Sequence, residues 1–170
     1  MNQIKDKKQQ TGQAQTNNTQ NTSKMFSELI VLKRVAKVTS GGKRLRFTAV
    51  AVVGDGAGKV GLALAHGKEA PEAIKKAMDK AKTKMVEVPM DTKSFTVPMR
   101  IEYKYRSARV MMKPAPAGVG IVAGGTMRKV LSVAGYKNVV AKRIGDANPI
   151  ATAYATILAL YKIKEKVLDV

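Results

Sequence analysis

Three glycine-bearing stretches beside Lys and Arg are the places where this chain could act on a phosphate. They are Ser40-Gly41-Gly42-Lys43-Arg44, Gly54-Asp55-Gly56-Ala57-Gly58-Lys59, and the run from Gly118-Val119-Gly120 to Gly124-Gly125-Thr126-Met127-Arg128-Lys129. A backbone without bulky side chains lets amides approach an anion while neighbouring cations bond its oxygens. The middle stretch invites a nucleotide-loop reading and does not satisfy it. Such a loop needs Ser or Thr after Gly-Lys and a Gly five positions before the second Gly; here Val60 and Val53 stand at those places. It also runs into a strand, where a phosphate loop opens a helix. A hairpin turn accounts for it better. The last stretch ends at a helix start with free amides, and Arg128 and Lys129 sit in that first turn, where cations oppose the helix dipole. A phosphate of RNA or of a nucleotide would relieve that penalty. Close backbone packing that demands glycine would explain the same residues.

No catalytic set emerges. His66, the one histidine, has no acid or nucleophile at a characteristic spacing. With no Cys, neither a disulfide nor the usual Cys/His zinc site can be built, and a reducing compartment is indicated. Asp55, Asp91 and Asp146 fall in loops without metal-ligand spacing. The expectation is a binding protein with no enzymatic activity, no metal, no cofactor and no small-molecule substrate.

The elements that carry these stretches read as two modules after a tail. Residues 1 to 24 are rich in Gln, Asn, Thr and Lys and too polar to offset their ordering entropy, so a disordered tail is expected. Lys5, Lys7 and Lys8 could make it a basic arm that orders on RNA. Leu29 to Lys37 alternates as a strand, Ser40 to Lys43 is a turn, and Leu45 to Val53 is a second strand. Lys59 to Ala65 is a third strand. Ala70-Pro71 opens a helix with Ala73, Ile74, Ala77, Met78, Ala81 and Met85 on its core face. Met85 to Met90 is short and extended, and Pro89 to Thr92 is the candidate boundary. Strands follow near Phe95 to Tyr103 and Arg106 to Lys113, then a stiff Pro114 to Gly120 loop and a brief strand at Ile121-Val122. A helix carries Met127, Val130, Leu131 and Ala134, capped by Gly135. Asn138 to Arg143 is a strand. Asn148 caps, and Pro149 begins, a largely buried helix to about Lys162. The fold class is α+β with two small domains, 25–90 as β-β-β-α and 91–170 as β-β-β-α-β-α. The first resembles a double-stranded-RNA-binding fold without its first helix.

Thirty-one Lys and Arg against twelve Asp and Glu give +19. Folding so much like charge into a compact body costs self-repulsion, which a polyanion would quench. The cations run through every segment, so nucleic acid is expected to surround the body. Phosphate contacts carry most nucleic-acid affinity. The Gly41-Gly42 hairpin, flanked by Arg34, Lys37, Lys43, Arg44 and Arg46, is the first candidate for them; Lys59, Arg128 and Lys129 are further candidates. No run of 18 apolar residues exists to span a membrane. The first residues lack a secretory signal's apolar stretch and a transit peptide's Arg.

The stretch Phe47-Thr48-Ala49-Val50-Ala51-Val52-Val53-Gly54-Asp55-Gly56-Ala57-Gly58-Lys59-Val60-Gly61 resembles the signature of ribosomal protein S-five, the fifth protein of the bacterial small subunit. Gly118 to Arg128 is similar to that family's second signature, and Asn148-Pro149-Ile150 agrees as well. The resemblance covers Ser27 to Lys162 in unbroken order. It implies a double-stranded-RNA-binding-like module followed by an α/β two-layer module with a left-handed crossover. It also implies a cytoplasmic protein of the small subunit that binds ribosomal RNA and touches neighbours S-four and S-eight. With S-three and S-four it would line the mouth of the messenger RNA channel and influence decoding accuracy. Carried over by position, the hairpin of Lys37 to Arg44, with Ser40, Gly41 and Gly42 at its tip, would approach the head–body junction near the spectinomycin site. Family members often hold a basic residue where Ser40 stands, and Lys43 and Arg44 could compensate. Arg106, Arg109 and Lys113 along a basic strand, with Gly118 and Gly120, are candidates for contact with neighbouring proteins.

The runner-up is a free duplex-RNA-binding protein, suggested by Lys75, Lys76 and Lys80 on one helix. A small phosphotransferase is a third reading on fold analogy alone, and it lacks a credible phosphate loop.

Overall fold

The computed structural model describes residues 25–168; the polar segment 1–24, expected to be a tail, lies outside the described residues. The elements are β1 (Phe26–Thr39), β2 (Gly42–Gly54), β3 (Lys59–Gly67), α1 (Ala70–Thr83), β4 (Met85–Glu87), β5 (Ile101–Tyr105), β6 (Ala108–Pro114), β7 (Ile121–Val122), α2 (Gly125–Ala134), β8 (Val139–Gly145) and α3 (Pro149–Leu168). They form an α+β fold with two four-stranded sheets, ordered β1-β2-β3-β4 and β5-β6-β8-β7. The first is antiparallel throughout. In the second, β7 and β8 run parallel and are joined through α2, while the other pairs are antiparallel.

Alternation along β2 explains how the sheets combine. Phe47, Ala49 and Ala51, with Ala65 of β3, face α1, where Ala73 and Ala77 meet them; side chains this small let the helix lie close on the sheet. Val50 and Val52 face the other way into a core shared with Val110, Met112, Met127, Leu131, Leu160 and Ile163 of the second half. α2 packs on β1 and β2, and α3 on β1 and β3. The two modules therefore share one hydrophobic core.

The ends of α3 and α2 follow from local chemistry. Asn148 Oδ1 accepts the Ile150 N–H at 3.0 Å, ahead of Pro149, so the cap and the fixed φ act together. α3 runs six residues past Lys162 because Ile163 continues its buried stripe. Gly135 ends α2 at φ 98°, in the left-handed region that favours glycine.

The short extended segment expected after α1 forms strand β4, paired with Lys59–Gly61. Two expectations need correction. The strand expected from Phe95 begins only at Ile101: Asp91 accepts the Lys93 N–H and the Ser94 hydroxyl, which bends the chain into a turn with Phe95 at φ 50°, and Pro98 has no amide for a ladder. Asn138 is not a strand residue. Its buried side chain accepts the N–H groups of Gly118 and Gly120 at 3.0 and 3.2 Å and donates to the Ser94 carbonyl at 2.7 Å. Asn138→Ala leaves these three backbone groups without that partner, so chemical denaturation is expected to show a loss of about 3 kcal/mol. A loss below about 1 kcal/mol would mean that water replaces the amide at no cost.

Candidate nucleic-acid interface

β3 pairs with β2 only from Phe47 onward, so among the described residues Gly42–Arg46 of β2 have β1 as their one neighbour in the sheet. Residues 35–46 thus form a two-stranded arm projecting about 13 Å beyond the sheet. Every residue from Leu32 to Arg46 is exposed. A lone two-stranded hairpin is marginal in water, and this one bares apolar groups as well, with Val38 71% exposed. Directly opposed residues share a face of the pleat. Register therefore places Lys33, Lys37, Arg44 and Arg46 on one face and Arg34 and Lys43 on the other. Lys37 stands directly opposite Arg44, a like-charge pairing that destabilises a ribbon. No Asp or Glu occurs between Val35 and Arg46, and among the described residues no carboxylate pairs with any of these cations.

The tip is closed by the Thr39 hydroxyl, which donates to the Gly42 carbonyl at 2.9 Å. Its two glycines differ. Gly42 has φ 130° and needs to be glycine for its backbone alone. Gly41 has no such φ, and a Cβ there would meet nothing within 4 Å. Ser40 is exposed beside it.

The Gly54–Gly58 loop is half-buried against α2. The N–H groups of Gly56 and Gly58 donate to the carbonyls of Val133 and Ala134 at 3.3 and 3.0 Å, and Asp55 Oδ1 accepts the amides of Ala57 and Lys59. The loop is thus clamped on the C-terminal end of α2, with its amides already bonded. Lys59 lies at the far end of the sheet from the arm, paired in register with Glu87. The Glu87 carboxyl is held below its ordinary value, chiefly by the hydrogen bond from Lys164 and more weakly by Lys59.

At the other end of α2 the amides are open. Gly124 caps the helix without a side chain, and the first turn has no acid. A Cβ at Gly124 or Gly125 would meet nothing within 4 Å, so close packing does not explain them. A groove of about 430 Å³ runs here between α2, β8 and Thr152 of α3, with Lys142 and Arg143 along its wall. Arg128 is exposed in the same turn. Lys129 turns away: its ammonium donates to the Leu29 carbonyl at 2.6 Å, where the β1–β2 register shifts between Leu29 and Val31. That cation ties α2 to the root of the arm.

Residues 25–89 match the family described as ribosomal protein S5, N-terminal domain, and residues 103–168 match ribosomal protein S5, C-terminal domain. The chain is 46% identical over 143 residues to the small ribosomal subunit protein uS5 of Idiomarina loihiensis, covering 84% of this chain and 85% of that one. It is 44% identical over 145 residues to uS5 of Acidithiobacillus ferrooxidans, covering 85% and 82%. With uS5 of Wigglesworthia glossinidia brevipalpis it shares 46% identity over 144 residues, covering 85% and 86%. The chain belongs to the ribosomal protein S5 family. The S5 family is structural, without enzymatic activity. No group of three or more metal-ligating side chains is present among the described residues.

The remaining candidates lie on β6 and in the loops at its two ends. Arg109 and Lys113 share the exposed face of β6, and Arg109 Nε bonds Glu102 at 2.8 Å. Arg106 sits in the β5–β6 turn at φ 53° and covers the Tyr105 ring. Gly118 and Gly120 adopt φ 94° and 77°, and Asn138 takes their amides. Sequence reasoning missed the groove where Arg46 of the arm meets His66, Lys68 and Lys76. There the Thr48 hydroxyl bonds His66 Nδ1 at 2.8 Å. Lys76, at 2.5 Å, and the Lys68 amide bond Glu72 and hold its carboxyl at about 2. The residues were visible in the sequence, but their meeting depends on the β2–β3 register, which no local pattern announces.

Proposed function

We propose that this chain is a structural constituent of the small ribosomal subunit that grips ribosomal RNA with its β1–β2 arm. One observation carries the reading: a free-standing ribbon that faces like charges across the strands and contains no acid of its own. Phosphates would supply the missing countercharge. Arg34, Lys37, Lys43, Arg44 and Arg46 hold them, and the small tip at Ser40, Gly41 and Gly42 lets the backbone approach. Arg128, with Lys142 and Arg143, forms a second basic surface on the same body. Lys59 and Lys129 are the weakest members of the set, because Lys59 lies beside Glu87 at the far end of the sheet and Lys129 bonds the Leu29 carbonyl. The exposed side of β6 with Arg109 and Lys113, the Arg106 turn, and the Gly118–Gly120 loop form the face toward neighbouring proteins S-four and S-eight. In the assembled, cytoplasmic subunit the arm reaches the messenger channel and the spectinomycin site, and through them decoding accuracy.

Gly41 supplies the test. Because a side chain there meets nothing within 4 Å of its own fold, Gly41→Leu is expected to leave the melting temperature unchanged. It should weaken binding to a small-subunit ribosomal RNA fragment at least tenfold, equivalent to about 1.4 kcal/mol, and alter spectinomycin sensitivity in cells. Wild-type RNA affinity in this variant would remove the tip from the interface. Retention on small subunits through moderate salt during sedimentation separates this reading from a free duplex-RNA binder.

A further inference from the structure

β3 has nine residues, but β4 covers it only from Lys59 to Gly61. Among the described residues, no strand lies beside its outer edge from Leu62 to Gly67. A groove of about 400 Å³ runs there, lined by Leu62, Ala63 and Leu64, by Lys80 and Thr83 of α1 with its C-cap Lys84, and by Tyr154 of α3. Successive strand residues point to opposite faces. Ala63 accordingly packs with Ala81 on the α1 side, while Leu62 and Leu64 join the central core on the side of Tyr154. A cavity touching all three in a row follows the edge of the strand, not one of its faces.

A free edge presents a row of backbone donors and acceptors to any extended chain. The strand residues themselves carry little that would blunt such an edge, although Leu62, Ala63 and Ala65 are largely buried. Leu62–Ala65 contains no Pro and no charge, and its register with β2 has no bulge. Lys80 and Lys84 border it, no Asp or Glu lines it, and among the described residues neither lysine is in an ion pair.

We infer that this groove takes an extended, acidic segment of a partner protein as an added strand. Main-chain bonds to the β3 edge give affinity, and alternate side chains give specificity. On the α1 side those side chains are acidic, against Lys80 and Lys84. On the α3 side they are apolar, against Leu62, Leu64 and Tyr154. A phosphodiester chain offers no ladder of amides and would press charge onto Leu62 and Leu64. The chain's own segment 1–24 fits poorly, since it brings Lys5, Lys7, Lys8 and Lys24 against a single Asp6.

The test titrates the full, isotope-labelled chain with a hexapeptide of alternating Glu and Val, and with a control of the same composition in block order. The alternating peptide is expected to shift the amides of Leu62–Gly67 and the Tyr154 ring and to slow exchange along that edge. Lys80→Glu with Lys84→Glu should weaken it about tenfold. Lys37→Gln with Arg44→Gln, on the arm, should leave it unchanged, which keeps this result separate from RNA binding. Equal binding of the block peptide, shifts centred on the arm, or no localised shifts up to millimolar peptide would overturn the inference. So would a short RNA duplex that displaced the peptide from the same amides, because the groove would then be part of an RNA surface.

Discussion

Gly135→Ala is expected to lower the unfolding free energy by at least about 3 kcal/mol. Two penalties combine. Gly135 sits at φ 98°, where an L side chain is strained. Its added Cβ would also overlap the carbonyl group of Gly56. That carbonyl cannot withdraw freely, because Gly56 and Gly58 are bonded to Val133 and Ala134 in the clamp between the two halves. Urea denaturation of the pure chain measures the loss. Gly125→Ala is the matched control: it lies in the first turn of α2 with nothing within 4 Å of a new Cβ. Alanine there should be neutral or stabilise by up to about 1 kcal/mol. Equal behaviour of the two variants would show that the clamp yields and that the Gly54–Gly58 loop does not join the halves.

Replacing Lys37, Arg44 and Arg46 together with glutamine should move binding and stability in opposite directions. If the whole interface engages about 6–10 phosphates, the wild-type chain loses roughly 10³–10⁵ in affinity for its RNA fragment between about 50 and 200 mM salt. Removing three phosphate contacts should flatten the slope of log affinity against log salt by about 3 and weaken binding to all sequences alike. The free variant should melt no lower than the parent, because the repulsion between Lys37 and Arg44 across the ribbon is gone. A parent whose affinity ignores salt would defeat the phosphate account. A variant that loses both binding and stability would show that these side chains hold the arm together.

Much of the framework was legible because its causes are local. The Asn148-Pro149 start of α3 and the Gly135 stop of α2 follow from caps and backbone freedom at single residues. The β1–β2 hairpin follows from alternation on both sides of paired glycines. What escaped is set by residues far apart in the chain. Asn138 reads as a strand position because its neighbours alternate, yet its amide serves a loop about twenty residues earlier. Lys129 reads as a cation for RNA, but its partner is a carbonyl 100 residues away. The Gly54–Gly58 loop reads correctly as a hairpin turn; what the sequence does not announce is that α2 takes two of its amides.

The core shared across the two halves has a consequence during synthesis. Val50 and Val52 are covered in part by helices that the translating ribosome makes last, with Leu160 more than a hundred residues downstream. At about 5–20 residues per second, that face waits roughly 5–20 s without its lid. A nascent chain in that interval offers a sticky valine sheet to chaperones and to other copies of itself. Slow codons placed between the two halves would lengthen the hazard, and overproduction without RNA to bind would worsen it.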